Sequence, residues 1–368
     1  MAIIPNGFYR GPRRFQGVAP TSAWVIGWKL QTDGAIHCIP ALGPQGRVYV
    51  GTSSQSLYAI DTDSGAVAWT FDTGYRITTN SPVVDTAGNV YLPAVSTISL
   101  APDRTVRWAV ELGGAARSSA WLGSQNDLYV TTSVWNTGDV PALFRLDTDT
   151  GEVVWSTPFP GLHTIQSTPT EVAGGIICFT AGDGKVYGVD KTDGAVRAAF
   201  QVGGRMGCRP AATANGTMVF VITLDDGGTD KLVAINTGVL PWSLAWSVAP
   251  PGQASSPLSE PICTPAGRQV YAGFDAVVAY VEAHPLWQTA SMGGAQRMAL
   301  DGAQNLLFGR QDLHVSALDA NGQLLQDAAH GGSGVGLAVD DDGVVYFGDS
   351  AGFVYAITSP EATPDRRI

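Results

Sequence analysis

The sequence predicts an all-β protein, an eight-bladed β-propeller with four-stranded antiparallel blades. One strand-rich pattern recurs eight times, at steps of 36 to 52 residues, and this period is typical of propeller blades. The chain has 45 Gly and 22 Pro, spread evenly, which indicates many turns between short strands. No stretch shows sustained helical periodicity, so the sequence favours sheets throughout.

The clearest copy of the pattern is Arg47–Gly74, RVYVGTSSQSLYAIDTDSGAVAWTFDTG. It has two alternating apolar runs, an Asp-Ser-Gly turn and a third run that carries Trp69. Such alternation predicts half-buried strands. Its anchor strand, VYVGT in this copy, begins at Val48, Val90, Leu128, Ile177, Met218, Val270, Leu306 and Val345.

Each copy is predicted to contain four strands, of which the anchor is the second. Five first strands follow a proline, at Pro40, Pro82, Pro169, Pro210 and Pro261. The third strand is LYAID in the first copy, and an Asp/Gly-rich turn separates it from the fourth strand. These turn residues cap their own backbone or supply positive φ.

A tryptophan marks the fourth strand of most copies, and we expect it to pack between blades. The position is filled by Trp28, Trp69, Trp108, Trp155, Trp246 and Trp287, with Ala198 and Gln326 in the two exceptions.

The two ends of the chain supply complementary parts of one blade. The segment Val25–Gly34 matches a fourth strand with nothing ahead of it, and the final copy ends after its third strand. We therefore expect the N-terminal strand to complete the last blade and close the ring, which removes open sheet edges. The expected organisation is a single propeller domain over residues 23–358, with tails at 1–22 and 359–368.

Composition excludes several classes of function. The formal net charge is −11, so non-specific binding to nucleic acid is not expected. The longest apolar run is far below the roughly 18 residues of a membrane-spanning helix. The cysteines (Cys38, Cys178, Cys208 and Cys263) lack metal-type spacing, so we expect buried free thiols. We also expect a monomer.

The N-terminal stretch has three arginines but lacks the apolar core of a signal peptide. We expect either a cytoplasmic protein or, if a signal was removed, a periplasmic or secreted one.

The strand, turn and tryptophan patterns resemble the repeat family named after pyrroloquinoline quinone, from Val25 to Thr358. Its eight-bladed members share the pattern VYxGTxDGxLYALDxxTGxxxW. The family includes quinoprotein dehydrogenases, the propeller lipoprotein of the outer-membrane barrel-assembly machinery, and other binding modules. The resemblance therefore implies the fold and leaves the activity open.

A quinone-dependent dehydrogenase, with pyrroloquinoline quinone and Ca²⁺ in the channel, is one reading that the resemblance implies. The dehydrogenases of the family carry a neighbouring pair of cysteines and are considerably longer. No two cysteines are neighbours here, so this reading is disfavoured and no cofactor is expected.

Loops before the first strands and between second and third strands should lie on one face of a propeller. Eight six-residue segments lead into the first strands and are here called the lead-in segments: residues 34–39, 76–81, 114–119, 163–168, 204–209, 255–260, 293–298 and 331–336. Together they contain five Arg, two His and one acid. Composition alone predicts about two Arg in 48 residues. The sequence thus predicts a positive channel mouth, where arginine recognises carboxylate or phosphate. A salt bridge between Arg209 and Glu260 on adjacent blades is the competing interpretation.

Two longer loops between second and third strands belong to the same face. Thr131–Pro141 brings Trp135, which lies outside the blade-packing positions, and Thr223–Lys231 brings three Asp. Long loops on a rigid scaffold often carry binding specificity. Trp135 is either a stacking platform over the mouth or a side chain folded over its own loop. The predicted ligand-binding residues are Arg76, Asn80, Arg117, Trp135, His163, Gln166, Arg205, Arg209, Glu260 and Arg297.

Two further catalytic interpretations are a serine hydrolase and a non-redox enzyme. A serine hydrolase is disfavoured because the GxSxG motif is absent. A non-redox enzyme, of lyase or cyclase type, could use His37 or His163 as acid–base, with Arg117 holding an anionic substrate.

No metal site is predicted, because DTDSG and DTDTG lack the distal Glu of a calcium loop and recur as turns. Cys38 and Cys208 occupy equivalent positions in the first and fifth copies, so a disulfide between them is not expected.

The favoured function is a non-catalytic binding or scaffold protein. Its Arg/His-lined mouth would accept a small anionic ligand or a peptide of a partner protein, and the enzyme at the same mouth is the competing class.

Overall fold

The computed structural model describes residues 17–78, 80–123, 127–204, 206, 208–223, 230–251, 260–274, 276–289, 295–333 and 336–358. Their backbone is all β. The chain divides into two compact units, one of residues 1–91, 100–106 and 295–368, the other of residues 92–99 and 107–294.

The strands follow the predicted four-part pattern. The first strands are β2 (Ala41–Gly43), β6 (Val83–Val84), β10 (Trp121–Leu122), β14 (Thr170–Val172), β18 (Ala211–Ala212), β22 (Ile262–Cys263), β26 (Ala295–Leu300) and β30 (Leu337–Val339). The second strands are β3 (Arg47–Gly51), β7 (Val90–Leu92), β11 (Asp127–Thr131), β15 (Ile176–Thr180), β19 (Met218–Thr223), β23 (Val270–Gly273), β27 (Leu306–Arg310) and β31 (Val345–Gly348).

The remaining strands complete each set. The third strands are β4 (Ser56–Asp61), β8 (Ser96–Leu100), β12 (Ala142–Asp147), β16 (Lys185–Asp190), β20 (Lys231–Asn236), β24 (Val277–Val281), β28 (His314–Leu318) and β32 (Phe353–Thr358). The fourth strands are β5 (Val67–Asp72), β9 (Val106–Glu111), β13 (Val153–Pro158), β17 (Val196–Gln201), β21 (Ser243–Val248), β25 (His284–Gln288), β29 (Leu324–Ala329) and β1 (Val25–Gln31).

Within the described residues these strands form eight four-stranded sheets, and the fold is an eight-bladed β-propeller. Blades 1 to 7 are β2–β5, β6–β9, β10–β13, β14–β17, β18–β21, β22–β25 and β26–β29 in chain order. Blade 8 has the order β1-β32-β31-β30, and β1 pairs antiparallel with β32 from Val25↔Thr358 to Gln31↔Phe353. The prediction that the N-terminal strand completes the last blade is therefore confirmed.

Burial divides the strands of a blade by position. The second strands are almost wholly buried, as in β15, where all five residues are buried. The fourth strands expose alternate residues, as in β5, and so present one side to solvent. One apolar cluster packs blade 5 against blade 6, with Phe220 and Leu232 from the former against Val270 and Tyr280 from the latter. The core thus lies between successive sheets.

A β-bulge precedes the tryptophan position of the fourth strand. In β5, Trp69 pairs with Ala59 and Val67 with Ile60, which leaves Ala68 as the extra residue. Equivalent register shifts occur in β1, β13, β17, β21, β25 and β29. A bulge bends its strand and re-aims the next side chain, and it also makes an outer strand a poor template for further pairing.

Four of the tryptophan side chains are hydrogen-bonded to the following blade. The indole Nε1–H of Trp28 donates to the Thr62 carbonyl at 2.7 Å, and that of Trp155 donates to the Lys191 carbonyl at 3.0 Å. Trp69 and Trp108 make the same bond at 2.9 Å. Each acceptor lies in the turn between third and fourth strands of the next blade, so the predicted packing between blades is confirmed.

A glycine in the same turn makes room for the indole. A Cβ added to Gly151 would lie 2.6 Å from Trp108, and one added to Gly194 would lie 2.9 Å from Trp155. Gly151 also has φ of +75°, a conformation that favours glycine. The Asp/Gly turn of the repeat therefore reverses the chain and also provides the surface on which the indole packs.

Blade 4 lacks the tryptophan, and a residue of blade 5 fills its place. Trp242, in the turn before β21, is buried and packs in one cluster with Ala198 and Ile176 of blade 4. A Cβ added to Gly188, which pairs with Ala198, would lie 2.6 Å from the Trp242 ring. The indole of this interface is thus supplied from the opposite side.

Gln326 replaces the other missing tryptophan in a different way. Its side-chain amide donates to the Thr21 carbonyl at 2.5 Å, in the segment that leads into β1. The same segment is held by the Ala19 amide, which donates to the buried Asp301 carboxylate at 3.0 Å. Residues 17–21 therefore contact the body of the propeller. The predicted domain limits themselves stay a prediction.

The exchange at the interface between blades 4 and 5 is testable by a double-mutant cycle. Ala198→Trp should destabilise the protein by about 1–3 kcal/mol, because the new indole competes with Trp242 for one site. Trp242→Ala should cost about 3–5 kcal/mol through the cavity it leaves. The double variant has its tryptophan on the fourth strand, as most other blades do. Its loss of unfolding free energy should therefore be smaller than the sum of the two single losses, by more than about 0.5 kcal/mol. Urea unfolding would measure all three, and additive losses would contradict a shared site.

Candidate functional site

In three blades, a buried side chain near the end of the lead-in segment fixes that segment to its own blade. The Cys38 thiol accepts a hydrogen bond from the Gly51 amide at 3.2 Å, and the Ser167 hydroxyl accepts one from the Thr180 amide at 3.1 Å. The Ser118 hydroxyl lies 3.0 Å from the Thr131 hydroxyl. All three pairs are 13 residues apart, so one clamp recurs in blades 1, 3 and 4.

The clamp determines which side chains face outward. Because neighbours in an extended segment point in opposite directions, the residue before each buried clamp faces away from the blade. Arg117 and Gln166 occupy this position and are exposed, while His37 is half-buried. Three predicted site residues thus have equivalent places in their blades.

Hydrogen bonds also join the lead-in segment or second strand of one blade to the lead-in segment of the next blade. The Ile39 amide donates to the Ser81 hydroxyl at 2.8 Å in one unit. In the other unit, Thr131 donates to the Ser167 carbonyl at 3.0 Å and Thr180 to the Cys208 carbonyl at 2.6 Å. The exposed side chains are therefore carried on a tightly bonded frame.

The long loop of blade 3 lies against the lead-in segments of blades 3 and 4. Ala115 and Ser133 form an isolated β-bridge, and the Ser133 hydroxyl donates to the Ile165 carbonyl at 3.1 Å. The Val134 amide donates to the His163 carbonyl at 3.3 Å. The loop is thus bonded on both sides before it reaches Trp135.

The structure brings Arg117, Trp135 and the His163 segment together. The Arg117 guanidinium carbon lies 5.8 Å from the centroid of the Trp135 ring, within cation–π range. Trp135 is 54% exposed, so it is not folded away beneath its loop. His163 and Gln166 are exposed on the neighbouring lead-in segment.

Arg209 is placed differently from the other predicted residues. It is only 3% exposed, and its guanidinium carbon lies 5.6 Å from the centroid of the Trp121 ring. Its backbone amide is 3.3 Å from a Glu260 carboxylate oxygen, so the two predicted residues do meet. Arg209 is therefore a buried partner of Trp121 and Glu260 rather than an exposed cation.

Sequence reasoning did not single out Trp121. It is the first residue of β10, a position that is small or β-branched in other blades, as with Ala41, Val83 and Ala211. A large aromatic there, outside the fourth-strand pattern, was the signal that could have identified it.

The other unit contains the remaining described site residues. Arg76 is exposed and Asn80 is buried. Arg297 lies at a register shift in β26 and has φ of +43°, in the left-handed region. Burial, and then the positive charge of Arg297, lower the pKa of His37, so this imidazole is neutral at pH 7.

Some predictions fall outside the described residues. Arg205 does, and so does residue range 224–229 of the long blade 5 loop. All four cysteines are free, and all but Cys208 are buried. The described residues contain no group of three or more His, Cys, Asp or Glu placed to hold a metal ion. Among the same residues, no helix is long and apolar enough to cross a bilayer.

Comparison with known proteins places the chain in a family. The family model described as outer membrane protein assembly factor BamB matches residues 21–98, 94–204 and 172–310, which together make up most of the chain.

One curated relative is similar over a short stretch. The uncharacterized protein YxaL of Bacillus subtilis (strain 168) is 42% identical over 52 residues. The match covers 14% of this chain and 13% of the length of that relative.

Two solved structures have the same fold. BamB from Moraxella catarrhalis matches with a TM-score of 0.70 and 17% identity, over 91% of this chain and all of that one. The Dos1 propeller matches with a TM-score of 0.70 and 12% identity, over 91% of this chain and 95% of that one. At these identities the likeness concerns the fold alone.

The recurring clamp predicts the behaviour of variants at Ser167. Ser167→Ala removes the acceptor of a buried amide and should destabilise the protein by about 1–3 kcal/mol. Ser167→Cys should recover a large part of this loss, because Cys38 makes the same bond in blade 1. Thermal unfolding of both variants would check this. A cysteine variant as unstable as the alanine variant would contradict the equivalence of the clamps.

Proposed function

Because the chain belongs to the family described as outer membrane protein assembly factor BamB, we propose that it is a non-catalytic binding or scaffold propeller. In this proposal the lead-in segments of blades 3 and 4 and the long loop of blade 3 engage an anionic group of a partner protein or a small ligand. The observation that carries it is the exposed Arg117–Trp135 pair, held on a hydrogen-bonded frame beside the His163 segment.

The chemistry of the lead-in segments favours binding over catalysis. The candidate nucleophiles Cys38, Ser118 and Ser167 are buried and bonded to the ends of second strands. Burial also raises the pKa of the Cys38 thiol, which disfavours the reactive thiolate. The exposed positions beside these clamps carry Arg117 and Gln166, which can hold an anion or donate a hydrogen bond.

The residues present do not fit the quinone and Ca²⁺ of the family's dehydrogenases. Within the described range, acids and histidines do not gather into a metal-binding group, and the four thiols are separate. No reaction step through that cofactor is proposed.

Binding of an acidic polymer tests the proposal. Poly-L-glutamate is expected to bind the wild-type protein at low salt, since exposed arginines on this face attract carboxylates. Arg117→Gln should bind several-fold more weakly. Arg268→Gln, at an exposed turn between β22 and β23 at the other end of its sheet, is the matched control. Light scattering or fluorescence anisotropy would report binding. Equal affinity of all three proteins would contradict the proposal.

A non-redox enzyme is the second candidate, and the neutral state of His37 favours it. Because burial and then the charge of Arg297 lower its pKa, His37 is mainly unprotonated at neutral pH and can act as a base there. If a substrate that turns over is found, His37→Ala should abolish turnover with the fold intact. The wild-type rate should fall only as the pH drops through this lowered pKa. Unchanged turnover in His37→Ala would remove the enzyme from consideration.

A further inference from the structure

We infer that the Arg117–Trp135 pair is a docking point for a partner-protein segment in which a carboxylate side chain neighbours an apolar one. This inference rests on the proposed binding function and specifies the partner. The occupant is an acidic–apolar peptide segment, not a small anion.

The exposure of Trp135 is the first step of the argument. Burying a large apolar side chain is favourable by about 1.5–3 kcal/mol of free energy. Trp135 nevertheless remains 54% exposed. Val140, in the same loop, is 42% exposed, so apolar surface extends beyond the indole. Tryptophan and arginine are among the residues most enriched in the hot spots of protein–protein interfaces.

The loop presents Trp135 in a fixed conformation. One Asp139 carboxylate oxygen accepts the amides of Trp135 at 3.0 Å and Asn136 at 2.6 Å. The Asp139 amide donates to the Asn136 carbonyl at 3.2 Å, which closes the turn. The preceding residues are tied to blades 3 and 4 by Ser133 and Val134. A side chain that is already ordered loses little entropy on binding.

Arg117 sets the charge of the partner. Its guanidinium lies over the indole at 5.8 Å, an arrangement in which a planar cation can stack and still direct N–H donors sideways to a carboxylate. Asp139, an acid of the same loop, directs one carboxylate oxygen to two backbone amides of its own turn. Arg117 is exposed and so presents a positive charge to solvent beside the indole, on a chain whose net charge is −11.

The two features together distinguish a peptide from a small anion. Phosphate or a simple carboxylate would satisfy the charge of Arg117 and leave the ring of Trp135 in water. A segment that offers Glu or Asp beside Phe or Leu covers both.

Three labelled pentapeptides test the inference by fluorescence anisotropy: Glu-Phe-Glu-Leu-Glu, Glu-Ser-Glu-Ser-Glu and Lys-Phe-Lys-Leu-Lys. The first should bind wild type at least about tenfold more tightly than the other two. Trp135→Ala and Arg117→Gln should each weaken it by about tenfold. Leu244→Ala is the matched control, since Leu244 is also 54% exposed but lies on β21. It should change the affinity less than about twofold.

Asp139→Ala provides an independent test of the fixed loop. This substitution should weaken binding of the first peptide, although Asp139 itself is not expected to contact the peptide. It should also speed hydrogen exchange of the Trp135 and Asn136 amides. If Trp135→Ala binds as wild type does, or if the two glutamate peptides bind equally, the inference is wrong. Poly-L-glutamate binding that depends on Arg117 would then still support the proposed function. If neither the glutamate peptides nor poly-L-glutamate bind, both the inference and the proposed function are wrong.

Discussion

The packing of an indole over a glycine turn is the interaction on which this propeller depends. It requires a bulge in the fourth strand, so that the tryptophan is aimed at the next blade, and a turn without a Cβ, so that the ring can approach. Trp155 and Gly194 meet both conditions, and the indole N–H is satisfied by the Lys191 carbonyl. Packing, hydrogen bonding and backbone conformation are thus linked in one contact that recurs from blade to blade.

The exceptions show that the constraint is on the site and not on a sequence position. Trp242 fills the interface from the following blade where Ala198 leaves it open, and Gln326 keeps the hydrogen bond while giving up the ring. A similar frame operates in the lead-in segments, where Cys38 and Ser167 make the same bond to their second strands. Because the buried, bonded residues stabilise the fold, the exposed residues beside them are available for binding.

The repeat pattern contained nearly all the information needed for the fold. Anchor strands, prolines before first strands, and the completion of the last blade by Trp28 and its strand followed from period and alternation. The candidate site was less accessible, since Arg209 and Arg117 look alike in sequence but differ in burial. That difference arises from contacts across blades, such as Arg209 with Trp121, which no local pattern encodes. Trp242 escaped prediction for the same reason.

The pairing of β1 with β32 joins the first and last strands of the described residues. On the ribosome, β1 emerges long before its partner, and its hydrogen-bonding edge has no permanent neighbour until residues 353–358 have been made. Blades 1 to 7 can each form from contiguous chain, whereas the last blade is a step with a very large loop to close. The nascent protein therefore carries an unfinished edge until β32 has been made, and truncation before residue 353 would leave that edge exposed to self-association.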